Sequence, residues 1–184
     1  MTPLTLPEIA ALYEKCGGEQ YSGEPVTQLQ HALQTALLAE QEGADDALVT
    51  AALLHDLGHL LADHGDTPTL RGVDNRHQHV ALPPLRGLLP ATVLAAIGLH
   101  VDAKRYLCQA RPGYREQLSA DSIRSLALQG GVYDAAQAAA FIARPGAADA
   151  VRVRVWDDRA KQADLPTPPL EHFLHRAARC CLGA

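Results

Sequence analysis

The sequence predicts an all-α protein built as one domain, and three observations carry that expectation. Alanine and leucine dominate while only 4% of the 184 residues are aromatic, which favours helices over sheets. Where the pattern is clearest, Leu29, Leu33, Ala36 and Leu37 fall on one face of a helix. Glycines and prolines interrupt the chain at short intervals, with no repeat, low-complexity tract or linker between them. A chain of this length buries a single good core.

Taken in order, residues 7–16 predict a first helix ended by Gly17-Gly18, followed by a loop over 19–25. A second helix covers about 27–42, with Gly43 as its stop. Asp45 opens a third, which holds Leu48, Ala51, Ala52, Leu54 and an adjacent His-Asp pair. Residues 63–74 read as a loop. A fourth helix begins near Asn75 or Arg76, and Pro83-Pro84 should end or kink it. Pro90 starts a fifth over 91–99, and 101–111 continues or restarts as helix until Pro112-Gly113. Ser119 caps a helix ending at Gln129. Residues 134–143 and 147–161 are further helices, and 170–182 forms the last. One domain over 1–184 is expected, with a core of about 21–164 onto which the last helix packs.

The net charge is −5 and the pI about 5.9, so nothing resembles a basic nucleic-acid surface. No apolar stretch reaches the roughly 18 residues of a membrane span. No charged region followed by an apolar core marks a signal peptide. Cys16, Cys108, Cys180 and Cys181 lack metal-site spacing and read as reduced thiols of a cytoplasmic protein. Nucleic-acid and membrane partners are therefore not expected, and no partner protein is indicated.

The stretch Ala51-Ala52-Leu53-Leu54-His55-Asp56-Leu57-Gly58-His59 is the most informative. Adjacent His and Asp among apolar residues are costly unless paired or bound to a metal. An imidazole and a carboxylate together suit a divalent ion. At about 3.6 residues per turn, His55 and His59 share one helix face, with Asp56 about 100° round from them. Other candidate ligands stand in separate helices: His31, His77, His100 and Asp157. Two of these have plainer readings, His31 as a satisfied core histidine and Asp157 as half of a solvated acidic pair with Asp158. His79 and Asp158 remain alternatives to His77 and Asp157.

The order His31, His55-Asp56, Asp157 resembles the H…HD…D signature of the HD-domain superfamily. The likeness extends to Tyr21-Ser22-Gly23-Glu24, Gln28-Leu29-Gln30-His31, Gly43-Ala44-Asp45, Leu85-Arg86-Gly87-Leu88, the run from His100 to Leu107, Gln129-Gly130-Gly131 and Trp156-Asp157. Over about 21–164 these segments are similar to the PhnZ-type phosphonate oxygenases, relatives of myo-inositol oxygenase. The resemblance implies an HD-domain helical bundle with two iron ions, mixed-valent Fe2+/Fe3+, and O2 as co-substrate. His31, His55 and Asp157 would hold one iron, His77 and His100 the other, and Asp56 would join them. The implied reaction is oxidative cleavage of the carbon–phosphorus bond of a 1-hydroxyphosphonate. The expected substrate is 2-amino-1-hydroxyethylphosphonate, giving glycine and phosphate, or its N-methylated or trimethylammonio analogue, giving a glycine-betaine-type product.

Ser122, Ser125 and Gln129 share a helix face that alone would read as a polar stripe, and by resemblance it anchors the phosphonate. Lys104 lies one turn past His100 and would add positive charge, its plainer reading being a surface lysine. His59 resembles a histidine that bonds the phosphonate without binding metal. By resemblance Tyr21 occupies an iron position until substrate displaces it, and Glu24 contacts the substrate amine. The catalytic expectations therefore fall on Tyr21 and His59. His64, His172 and His175 read as surface histidines and Trp156 as core. Two rival readings are a metal-dependent HD phosphohydrolase and a metal-stabilised module that binds a phosphorylated ligand without turnover.

Overall fold

Side-chain caps set the start of five of the ten α-helices among the described residues. The protein is described by a computed structural model covering residues 2–21, 23–62 and 68–183, so the expectations on Ser22 and His64 lie outside the described residues. Thr5 and Glu8 form a capping box at the start of α1 (Leu6–Cys16), and Thr27 with Gln30 does the same for α2 (Gln28–Gln41). Asp45 caps α3 (Asp46–Leu54) through Leu48 N–H at 2.9 Å. α4 (Leu57–Leu61), α5 (His77–Leu85) and α6 (Ala91–Ala110) follow. Ser119 caps α7 (Ala120–Leu128), Asp134 and Gln137 box α8 (Ala135–Ile142), and α9 (Ala147–Arg159) and α10 (Leu170–Ala178) complete the chain. Each such cap contributes about 1 kcal/mol. Among the described residues there are two isolated bridges and no strand, and no helix is long and apolar enough to cross a membrane.

The structure departs from the sequence expectation in four places. The third helix does not run through the His-Asp pair: α3 stops at Leu54 and α4 restarts at Leu57. Asp56 sits at the joint with φ −104° and ψ 10°, outside helical geometry, so its carboxylate is aimed by a bend rather than by helical periodicity. Pro83-Pro84 lies inside α5, which continues to Leu85; so near the end of a short helix, only two hydrogen bonds are forgone. The region 63–74 is not all loop, since Pro68–Arg71 makes a turn of 3-10 helix. The last helix ends at Ala178 instead of 182. There the Cys180 and Cys181 thiols donate to Ala177 O, and Leu182 N–H reaches back to Leu88 O at 2.8 Å. Residues 91–110, where the sequence left two options, form one continuous helix.

α3 occupies the middle of the bundle. Its residues Leu48 through Leu54 are all buried, with α2, α6, α9 and α10 packed around it. Ala51 and Ala52 are fully inaccessible, and such small side chains let neighbouring helices approach. α10 packs on α3, its Phe173 and Trp156 of α9 belonging to the same core cluster. Burying each large side chain here stabilises the fold by about 1.5–3 kcal/mol. Because α3 ends in the interior, the His-Asp pair emerges at the centre of the molecule. Gly58 brings α4 against α5: a Cβ there would lie 2.0 Å from His77 O.

Candidate metal centre

Four helices and one joint deliver the six expected ligands to a common point. His31 comes from the middle of α2, His55 and Asp56 from the α3–α4 joint, His77 from the first turn of α5, His100 from mid-α6 and Asp157 from the end of α9. All six are buried. The alternatives separate from them: His79 is exposed, and Asp158 is bonded to Arg154 and Tyr114. His172 and His175 lie on the surface, His172 against Glu40 at 2.9 Å. Trp156 is fully buried in the core.

The imidazoles share one construction. Their Nδ1 atoms face acceptors: Ala160 O at 2.8 Å for His31, Ala52 O at 2.9 Å for His55, Ile97 O at 2.7 Å for His100 and Asn75 Oδ1 at 3.0 Å for His77. Carbonyl oxygens only accept, so each Nδ1 carries a proton, and each ring in its neutral form turns the Nε2 lone pair inward. Those atoms then meet: His31 and His55 Nε2 are 3.3 Å apart, and His77 and His100 Nε2 are 3.0 Å apart. Lone pairs at such separations repel unless a cation lies between them. Backbone-anchored Nδ1 atoms with converging Nε2 atoms are the arrangement of metal-ligating histidines.

The carboxylates complete it. Asp56 divides its oxygens, Oδ2 lying 3.6 Å from His31 Nε2 and 3.4 Å from His55 Nε2, and Oδ1 lying 3.1 Å from His77 Nε2 and 3.5 Å from His100 Nε2. Asp157 Oδ2 is held by Arg154 at 2.7 Å, while its Oδ1 is buried without a hydrogen-bond partner, 3.4 Å from His31 Nε2. That orphaned oxygen and the opposed lone pairs are what a bound cation would satisfy, so the residues fit a metal. His31, His55 and Asp157 form one ligand group, and Asp56, His59 and His77 another. The presence of His59 in the second group is new to the structure. His100 lies against the same group through His77 and Asp56.

The electrostatics agree with a cation site. Burial alone would depress His55, but the Asp56 and Asp157 carboxylates outweigh it and push its imidazole up to about 9. Burial holds His59, His77 and His100 below the usual imidazole range, His77 down to about 3. Burial opposes ionisation of Asp56 and Asp157 too, yet the histidines around Asp56 and the Arg154 charge beside Asp157 hold both well below the usual carboxylate range.

A pocket opens on the Asp56–His77 side. Tyr21 stacks on His31 at 4.0 Å and donates its hydroxyl to Asp56 Oδ2 at 2.8 Å. Burial and the nearby carboxylates push that phenol well above its ordinary range, so it keeps its proton. Opposite stands a polar wall on α6 and α7. Lys104, only 2% exposed, donates to Ser125 Oγ at 2.7 Å, and Ser122 and Gln129 line the same pocket. Burial, reinforced by Arg154, pushes Lys104 down to about 7. Glu24 also lines the pocket, but its carboxylate is bound by Lys161 at 3.2 Å, whose ammonium also lies 3.4 Å from Ser122 Oγ.

Three residues of the site escaped the sequence reading. Arg154 is three residues before Asp157 and Lys161 four after it, spacings that place each near Asp157 on a helical path. Asn75, two residues before His77, had the signature of a residue that bonds the backbone of its own turn. Such spacings and turn signatures fit ordinary solvent-facing residues equally well, so the sequence does not single these three out.

The comparisons fall in line with this geometry. The HD-domain family model matches residues 29–127, more than half of the chain and inclusive of His31, His55, Asp56, His77 and His100. The chain is 39% identical over 165 residues to the [1-hydroxy-2-(trimethylamino)ethyl]phosphonate dioxygenase (glycine-betaine-forming) of Leisingera caerulea, covering 90% of this chain and 84% of that protein. It is 42% identical over 166 residues to the hydroxymethylphosphonate dioxygenase of Gimesia maris, covering 90% and 82%. An uncharacterised protein of Acanthamoeba polyphaga mimivirus is 34% identical over 169 residues, covering 90% and 76%. A family match of this extent, relatives of this identity along most of their length, and a buried His-Asp centre at the matching residues place the chain in the HD-domain family, in its PhnZ-type oxygenase branch.

Proposed function

We propose that this protein uses O2 to cleave the carbon–phosphorus bond of a small 1-hydroxyphosphonate at a two-iron, mixed-valent centre. On this reading His31, His55 and Asp157 hold one iron, His77 and His100 the other, and Asp56 bridges them. The observation that carries it is the divided carboxylate of Asp56, one oxygen toward each histidine pair, beside a pocket walled by lysine and serine. The names of the two dioxygenase relatives point to the same chemistry. Bound there, the iron pair supplies the redox chemistry that brings O2 to bear on the hydroxylated carbon.

The protein's own residues receive the substrate. Lys104, Ser122, Ser125 and Gln129 take the phosphonate oxygens, a tetrahedral anion matched by ammonium, hydroxyl and amide donors. His59 donates to the same group from the opposite side. Tyr21 covers the approach beside His31 and yields its contact with Asp56 when substrate enters. Glu24 reads a cationic substituent on the neighbouring carbon, which must then compete with Lys161 for its carboxylate. With 2-amino-1-hydroxyethylphosphonate the products are glycine and phosphate. One C–H and one C–P bond break, and O2 accounts for the two oxygen atoms gained. The partner required is a small molecule, and the four free cysteines suit a reducing cytoplasm.

The test is aerobic incubation of iron-loaded protein with hydroxymethylphosphonate, 2-amino-1-hydroxyethylphosphonate and its trimethylammonio analogue. O2 uptake matched by phosphate release from at least one of them is expected. Hydrolysis of phosphate esters with no O2 uptake would overturn the reading in favour of a phosphohydrolase, and tight binding without turnover would favour a regulatory module.

A further inference from the structure

The His59 and His77 rings stack at 4.2 Å with 19° between their planes, and the side-chain amide of Asn75 spans their Nδ1 edges. Asn75 Oδ1 lies 3.0 Å from His77 Nδ1, and Asn75 Nδ2 lies 3.0 Å from His59 Nδ1. An amide's oxygen and nitrogen are easily interchanged in a structure, but here the backbone decides. The N–H of His77 donates to the same Asn75 Oδ1 at 3.3 Å, and an NH2 group could not accept it. The oxygen therefore faces His77 and the NH2 faces His59. The turn that presents the amide is held by Arg76 in the left-handed conformation, φ 49° and ψ 34°, with its N–H on Asp74 Oδ1 at 3.2 Å.

We propose that Asn75 is a positioning residue that imposes opposite tautomers on two stacked histidines, making His77 a metal ligand and His59 a hydrogen-bond donor to the substrate. An amide oxygen only accepts, so His77 Nδ1 carries its proton and Nε2 presents a lone pair. An amide NH2 only donates, so His59 Nδ1 is a lone pair. His59 is thereby neutral with its proton on Nε2, since an imidazolium would oppose N–H to N–H. This sorting matters because His59 Nε2 is only 3.9 Å from Asp56 Oδ1 and belongs geometrically to the same ligand group. With the proton on Nδ1 instead, His59 would compete as an extra ligand where substrate has to enter. The inference rests on the functional reading above for the role of His59, while the tautomers themselves do not.

Two measurements test it. Long-range proton–nitrogen NMR spectra of histidine-labelled, zinc-loaded protein report each tautomer without any turnover. His59 is expected with its proton on Nε2 and His77 with its proton on Nδ1. A His59 protonated on Nδ1, or on both nitrogens, would overturn the inference. Asn75→Asp replaces the donor by an acceptor and should switch His59 to the Nδ1–H form. In the iron-loaded enzyme that change should raise KM for the hydroxyphosphonate by at least about tenfold, as expected for a lost hydrogen bond to an anion, with metal content retained. The control is His59→Gln, whose amide offers a donor whatever residue 75 is. In that background Asn75→Asp should add little, whereas an undiminished second effect would mean that Asn75 acts otherwise, and the inference fails. Correct tautomers in a protein that consumes no O2 would instead discredit the functional reading alone.

Discussion

The two halves of the centre are built on different plans. The half formed by His31, His55 and Asp157 is buried, each residue at 1% exposure or less, and of the three only Asp157 lines the pocket, with Arg154 clamping one of its carboxylate oxygens. The half formed by His77 and His100 adjoins the pocket, with His59, Asn75 and the lysine-lined wall around it. One half has its ligands braced by backbone carbonyls and a buried guanidinium, the construction of a site that retains a cation. The other leaves His77 braced by a side-chain amide on a turn and faces incoming ligand. On the proposed function, holding and working are divided between the halves, with Asp56 common to both.

Asp56→Asn should erase the distinction and have the largest effect. With the shared carboxylate gone, metal content should fall in both halves and O2-dependent turnover by more than about a hundredfold, beyond what loss of an outer partner produces. Retention of two metals per chain by elemental analysis would contradict the bridging role. Arg154→Met should act on metal binding in the half formed by His31, His55 and Asp157, besides relieving the repulsion that lowers Lys104. It leaves a buried carboxylate uncompensated, which costs about 3–5 kcal/mol of stability in the metal-free protein. It should weaken one metal by about 10–100-fold, the usual effect of losing an outer partner. Competition with a chelator should then resolve one weak and one unchanged metal, and two equally weakened metals would argue against separate halves.

Lys104→Met should act on the open half without disturbing metal. Lys104 is pushed down to about 7, so its ammonium is present below that pH and lost above it. If it binds the phosphonate, kcat/KM of the native protein falls as pH rises through about 7. In the variant that limb disappears, and KM rises by roughly tenfold, as for a charge-assisted hydrogen bond. An unchanged pH profile would remove Lys104 from the binding wall. The smallest effect is expected of Lys161→Met, which frees Glu24. Preference should shift toward substrates with a cationic substituent relative to hydroxymethylphosphonate, by about fivefold, the scale of a partly exposed ion pair. Competition assays between the two substrates read this ratio directly.

Much of the centre was legible in the chain because its ligands are residue types that are expensive to bury. His31 among leucines and a His-Asp pair in an apolar run both demand a partner, and that demand is local. The helices were legible for a related reason, since Thr5, Thr27, Asp45, Ser119 and Asp134 each mark a start by chemistry confined to one turn. The bend at Asp56 was not legible. Leu53, Leu54 and Leu57 carry no breaker between them, and the helix parts there because packing and the centre impose the geometry on Asp56. Nor could spacing separate Glu24 from Lys161, residues 137 positions apart, or reveal that Arg154 braces Asp157 rather than facing solvent.

By itself the sequence determined an all-α chain with six buried metal-type ligands in a recognisable order, because helical period, caps and desolvation cost are properties of short stretches. Only the tertiary structure decided how those ligands are used. It split the oxygens of Asp56 between two histidine pairs, clamped Asp157 from one side, and set a single asparagine amide between two stacked imidazoles. Those outcomes depend on which atoms face which across helices, and lone pairs and protons are assigned only when the partner groups meet.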